Sequence, residues 1–274
     1  MTAGLVRVSP TWLELREPAD AAARATDLVE LLREHLPTKG RAEIHDLGCG
    51  TGSMLRWLAP RLSGSQHWLM YDRDPDLLDL VGANQPTSSA DGSPVTADPR
   101  QRDITRLPDQ DLSGASLITA SALLDMFTVD ELGRFVATCA AAHCPVLLTI
   151  SVTGRVDLAP ADPLDLVLTD AFNDHQRRLS DRGPLLGPDA VGIAAELFAG
   201  LGMDVTVRPS PWVLDADEAA LTTQWLHGWI DAATEQRPEL ADAAADYAQR
   251  RLADGRARRL TVTVHHLDLL ARPR

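Results

Sequence analysis

The segment Asp46-Leu47-Gly48-Cys49-Gly50-Thr51-Gly52 restricts the fold of this chain more than any other. Glycines at alternate positions let a backbone turn sharply and come close to a ligand. Ala42 to Leu47 before them reads as a short strand. Leu55, Leu58 and Leu62 after them recur at helical spacing, so a helix is expected from about 52 to 62. Amides at such a strand-to-helix junction face whatever binds there. The next strand, Gln66 to Tyr71, ends at Asp72, where a carboxylate can accept both ribose hydroxyls of a nucleoside. The dinucleotide fingerprint is G-x-G-x-x-G. Here the spacing is G-x-G-x-G, with Ser53 where the third dinucleotide glycine would fall, and an acid, Asp46, stands just before the loop. This favours a cofactor with an amino-acid portion over one with a pyrophosphate.

Strands and helices alternate on either side. Pro18 marks a first turn, and Leu28, Leu31, Leu32 and Leu36 follow, predicting a helix from about 19 to 36. Asp74-Pro75 is an N-cap with proline at the first helical position. Residues 84 to 98 read as a surface loop with a brief strand near 95 to 98. Ala115 to Ala120 and Pro145 to Val152 are apolar strands. Between them, Thr128 to Glu131 has capping-box spacing for a helix to about 143. A helix from about 162 to 179, another from Gly187-Pro188 to about 200 and a strand at Met203 to Val207 come next. Helices at 215 to 235 and 238 to 254 precede a final strand, Leu260 to Leu270. Alternation from residue 42 to about 207 implies an α/β fold with a mostly parallel, doubly wound sheet.

Asp-Leu-Gly-Cys-Gly-Thr-Gly resembles the first signature motif of the class I S-adenosylmethionine-dependent methyltransferases. Asp72, followed by Arg73, resembles that family's ribose-binding acid. Asp103, followed by Ile104, resembles the acid that meets the adenine amine. Ser121 to Met126, with Ser121, Ala122 and Asp125, resembles the segment flanking the adenine and methionine groups. The resemblance covers about residues 40 to 152. It implies a Rossmann-like, seven-stranded sheet whose last strand is antiparallel, and S-adenosyl-L-methionine as cofactor. Asp46, Gly48, Cys49, Gly50 and Gly52 are its expected glycine-loop contacts. One domain over 1–274 is expected, with an N-terminal helical cap at 1–36, a cofactor-binding half at 40–152, and substrate-side or lid insertions at 153–187 and 213–257. His45 departs from the apolar residue usual before the motif's aspartate; it is either a core histidine or a neighbour of the cofactor.

Composition narrows the partners. A net charge of −13 opposes a phosphate backbone, so nucleic acid is not expected as substrate. Three cysteines without framework spacing suit a reducing cytoplasm. Met1 to Trp12 lacks a signal pattern, and no stretch has the apolar length of a membrane span. Lys39 is the only lysine, as in a GC-rich bacterial coding bias. The expected reaction is methylation of a small-molecule acceptor at O, N or C, in bacterial specialised metabolism. His175, oriented by Asp174 or Asp170, is the expected base, since imidazole titrates near working pH. No metal site is expected: His265 and His266 are adjacent on a strand and point to opposite faces. Leu221, Trp225 and Trp229 form one helical stripe, which serves packing, a homodimer interface or an apolar lid. Rival readings are a non-catalytic cofactor-binding or interaction protein, a protein methyltransferase and a nicotinamide oxidoreductase.

Overall fold

A computed structural model describes residues 8–37, 39–82 and 85–274. The segment read for a targeting signal begins, and the surface loop after the fourth helix opens, on residues outside that set.

Two helices come first, α1 (Pro10–Ala23) and α2 (Thr26–Arg33). The sheet then begins with β1 (Arg41–Leu47), followed by α3 (Ser53–Leu58), β2 (Ser65–Asp72), α4 (Pro75–Val81) and β3 (Val95–Gln101). After β4 (Leu117–Ser121) come α5 (Val129–Ala141), β5 (Val146–Ala159) and α6 (Leu164–Gln176). A small hairpin, β6 (Leu179–Ser180) and β7 (Gly183–Pro184), leads to α7 (Ala190–Gly200), β8 (Asp204–Pro209) and β9 (Trp212–Leu214). The last elements are α8 (Ala219–Gln236), α9 (Ala241–Arg256) and β10 (Thr261–Arg272).

The main sheet runs β3-β2-β1-β4-β5-β10-β8, with β9 as an eighth strand beside β10. The first five strands are parallel, and β10 runs antiparallel to both β5 and β8. This is a doubly wound, Rossmann-like sheet with an antiparallel last strand. The chain leaves β1 outward through β2 and β3, then returns to place β4 on the other side of β1. Crevices on such sheets open at this reversal, at the carboxyl ends of the strands. The glycine loop leaves β1 there.

The central strands are buried on both faces, so β4 and the first half of β5 are nearly continuous buried runs. On β4, Leu117 faces the cluster formed with Leu32, Leu55 and Trp68, while Ile118 faces the one formed with Phe135 and Phe198. On β10, Leu269 and Leu270 divide in the same way. A third cluster lies where β5 and β10 extend beyond the other strands and pair with each other as far as Thr261 and Ala159. Leu168 of α6, Trp225 and Trp229 of α8 and Tyr247 of α9 fill it.

Several sequence expectations change here. The helix expected from 19 to 36 is two helices, and Pro18 lies inside α1. Trp12, Leu15, Ala19 and Ala23 recur at helical spacing and pack into the third cluster, so tertiary packing carries the helix through the proline. The break falls at Arg24 and Ala25, because the Ala25 amide donates to Asp268 Oδ2 at 2.8 Å instead of to a helical carbonyl. The fifth strand runs to Ala159, past the expected Val152, because β10 pairs with its extension. The Trp225–Trp229 stripe stacks internally, centroids 5.3 Å apart, and is buried within the chain. The stripe is therefore core packing; it is neither a lid nor an exposed dimer face. Among the described residues no helix is long and apolar enough to cross a membrane.

Asp268 ties these layers together. It sits at a register shift in β10, fully buried, and its other oxygen accepts the Ile150 amide at 2.7 Å. Ile150 holds a positive φ of 55°, a strained conformation for a β-branched residue. Asp268→Ala strands two buried backbone donors and is expected to cost on the order of 3 kcal/mol in denaturant unfolding. Asp268→Asn, which keeps one acceptor oxygen, should fall between it and the wild type. Equal midpoints for all three proteins would contradict this account of the joint.

Candidate active site

The glycine loop is held from behind by β2. The amides of Gly48 and Cys49 both donate to the Tyr71 carbonyl, at 2.8 and 2.9 Å. Gly48 has φ +72°, and a Cβ there would come within 3.2 Å of Leu123. Gly50 has φ +55°, and a Cβ would meet Leu13 at 3.2 Å. Both positions therefore need glycine, for backbone conformation and for close approach. Asp72 completes the hold: Oδ2 accepts the Gly50 amide and Oδ1 the Asp74 amide, each at 2.9 Å.

Behind the loop sit two buried charges with unanswered atoms. Asp46 is 1% exposed. Its Oδ1 accepts from Thr119 Oγ1 at 2.7 Å, and its Oδ2 has no hydrogen-bond partner among the described residues. Burial pushes its carboxyl up to about 7. Arg24 is 2% exposed and stands over the Trp57 ring at 5.3 Å. Its Nη2 donates to Ser53 Oγ at 3.2 Å and Ser121 Oγ at 3.1 Å, while Nε and Nη1 have no acceptor among the described residues. Buried polar groups are nearly always satisfied, so two orphaned charges of opposite sign beside one cleft call for an explanation.

Across the reversal, β4 ends at Ser121, whose hydroxyl also accepts from Thr149 Oγ1 at 3.0 Å. Ala122 takes a positive φ of 53°, with its amide held by the Thr149 carbonyl at 2.9 Å. The turn then presents Leu123, Asp125 and Met126 to the cleft. Burial pushes the Asp125 carboxyl up to about 6, against the pull of Arg16 and Arg178. Asp103 and Ile104 line the cleft from the loop after β3, with Asp103 Oδ1 accepting from Thr105 N and Oγ1 at 3.0 and 2.7 Å.

The cleft thus gathers Asp46, Gly48, Cys49, Gly50, Asp72, Arg73, Asp103, Ile104, Ser121, Ala122 and Asp125 around about 430 Å³. Gly52 is not on its wall; with φ +88° it turns the chain into α3 beside Met70 and Val81. His175 and Asp174 are not on the wall either. Leu168, Ala171 and His175 share one face of α6, and that face meets α8. There His175 Nε2 lies 3.3 Å from Glu235, and Asp174 pairs with Arg237. The expected base is therefore not part of this site. His45 is a core histidine: it is buried, stacks on Tyr71 and hydrogen-bonds the Tyr71 hydroxyl through Nδ1 at 3.1 Å. Residues that sequence reasoning missed come from α1 and the hairpin: Trp12, Leu13, Arg16, Arg178 and Arg182 line the cleft. Arg24 stands behind it. Only the presence of extra segments at 1–36 and 153–187 hinted at them.

Residues 44–145 match the family model described as a methyltransferase domain. Among solved structures, a cyclopropane-fatty-acyl-phospholipid synthase-like protein from Lactobacillus casei superposes with a TM-score of 0.53 at 14% identity, covering 96% of this chain and 92% of that one. The cyclopropane synthase MmaA2 from Mycobacterium tuberculosis gives 0.51 at 15% identity, covering 97% and 95%. The YcgJ protein from Bacillus subtilis gives 0.50 at 13%, covering 91% and 100%. At such identities the likeness is one of fold. No curated protein matches the sequence. The glycine loop and the strand order, together with this match, give residues 44–145 the features of a methyltransferase domain on a Rossmann-like fold.

Asp72→Ala removes the acceptor of two loop amides. Amide exchange at Gly50 and Asp74 is expected to speed up about tenfold, the effect of losing roughly 1.4 kcal/mol of local stability at each. Unchanged protection at both would show that Asp72 does not hold the loop.

Proposed function

We propose that the cleft binds S-adenosyl-L-methionine and that the protein transfers the methyl group to a small-molecule acceptor. One observation carries the reading: Asp46 Oδ2 and two Arg24 N–H positions, without partners among the described residues, flank the glycine loop. An amino-acid end with one ammonium and one carboxylate answers both; a pyrophosphate, which only accepts, would answer Arg24 but repel Asp46. Asp72 fits the ribose, because each carboxylate oxygen accepts one amide and keeps a lone pair for a hydroxyl. Leu77, Asp103 and Ile104 offer an apolar wall and an acceptor for the base.

When bound, the cofactor supplies a methyl group already activated on a sulfonium. The remaining work falls to the chain. The loop and Asp72 fix one partner's position, and orientation of this kind supplies much of the rate of a displacement. Trp12, Leu13 and Phe127 exclude water from the other side. Asp125, on the wall and titrating near neutrality, can hold a proton released by an acceptor. The net charge of −13 favours small acceptors over nucleic acid. Three unpaired, buried cysteines favour the cytoplasm.

The test uses proton linkage in S-adenosylhomocysteine binding. In the free protein the Asp46 carboxyl titrates at about 7. An ammonium beside it favours the ionised form, so binding releases a proton. Affinity should therefore rise as pH goes from 6 to 8, by up to about tenfold per unit below the carboxyl's own pKa, and level off above it. Asp46→Asn should bind more weakly and lose the pH dependence. A pH-independent wild type would remove Asp46 from the site. Stabilisation by NAD without any by S-adenosylhomocysteine would overturn the methyltransferase reading.

A further inference from the structure

The acceptor side of the cleft lies between α1 and the β6–β7 hairpin, and its charges are unevenly matched. Three arginines reach it: Arg16, Arg178 and Arg182. Arg16 is spent, since its Nε and Nη2 meet both oxygens of Asp20 at 3.0 and 3.1 Å and its guanidinium covers the Trp212 ring at 4.8 Å. Arg182 is also spent, on Glu131 Oε1 at 2.7 Å and the Met126 carbonyl at 3.3 Å. Arg178 differs. It is half-buried, its Nη1 donates to the His175 carbonyl at 3.1 Å, and among the described residues it has no carboxylate at ion-pair distance, although its charge reaches Asp125.

A partly desolvated guanidinium is costly without an anion, and its planar fork matches a carboxylate. Trp12, Met126 and Phe127 line the same cleft as this fork. The same cleft is lined by Asp20, Asp46, Asp72, Asp103 and Asp125. So many carboxylates repel a phosphate dianion more than a carboxylate monoanion. We propose that the acceptor is a small molecule with a carboxylate and an apolar body, the carboxylate docking on Arg178 and the body lying against Trp12 and Phe127. The proposal rests on the methyltransferase reading, because it assigns the part of the cleft that the cofactor leaves open.

Benzoate serves as the probe, with benzamide as its neutral counterpart and phenyl phosphate as its dianionic one. Each is titrated calorimetrically into protein saturated with S-adenosylhomocysteine, and benzoate also into ligand-free protein. Benzoate should bind the loaded wild type in the range of about 1–10 mM, as expected for so small a ligand. Benzamide and phenyl phosphate should bind about tenfold more weakly or worse. Arg178→Gln should lose at least about tenfold for benzoate, Arg178→Lys should recover part of it, and S-adenosylhomocysteine affinity should stay unchanged in both. That unchanged affinity also shows that the variants are folded. Absence of saturable benzoate binding, equal binding of benzamide, or an unaltered Arg178→Gln titration would overturn the proposal; tighter phenyl phosphate would replace carboxylate by phosphate. Failure of S-adenosylhomocysteine to bind the wild type contradicts the methyltransferase reading, and the ligand-free titration then judges the anion site by itself.

Discussion

The site depends on a charge buried where the N-terminal helices break. Arg24 is driven out of water among Asp20, Asp46 and Asp268, all of which favour its charged form while burial opposes it. Such a group is stable only where opposite charges and acceptors surround it. Its guanidinium joins Ser53, at the start of α3, to Ser121, at the end of β4. It therefore spans the two sides of the sheet's reversal. The same break exposes the Ala25 amide to Asp268, which in turn holds β5. With the break fixed, α1 crosses the carboxyl ends of the strands and delivers Trp12, Leu13 and Arg16 to the cleft.

Against that fixed cover, the opposite wall is strained into shape. Gly48 and Gly50 take left-handed conformations that glycine adopts without cost, whereas Ala122 takes one at a cost. The Thr149 carbonyl and the Asp72 carboxylate hold these turns from behind. The result is a rigid rim with, among the described residues, two charges carrying unpartnered atoms at its base and the Arg178 guanidinium, without an ion-pair carboxylate, at its mouth. An amino-acid end suits the first pair and an anionic acceptor suits the second feature. Binding energy from both ends would fix the angle between the reacting groups, which is what a displacement requires.

Much of this was legible in the sequence, because local rules govern the cofactor half. The glycine spacing, the acid before it and Asp72 at the end of the next strand all lie within one βαβ unit. The Thr128–Glu131 capping box formed as spacing predicts. The misread parts depend on contacts between distant residues. Arg24 is one arginine among many, and its role appears only through Ser121, far along the chain. Pro18 looks like a helix start, yet Pro10 takes that position and packing carries α1 past Pro18. Helical period places His175 beside Ala171 correctly, but not which side of α6 faces the cleft. The Trp225 stripe shows an apolar face without showing what covers it.

The central claim is that an amino-acid-bearing nucleoside lies across this rim, and a crystal structure grown with S-adenosylhomocysteine tests it most directly. The account predicts ribose hydroxyls on Asp72, the ligand ammonium at Asp46 Oδ2 and its carboxylate drawing in the free N–H groups of Arg24. Density for the ligand elsewhere, or in the cleft with its amino-acid end turned away from both Asp46 and Arg24, would contradict it.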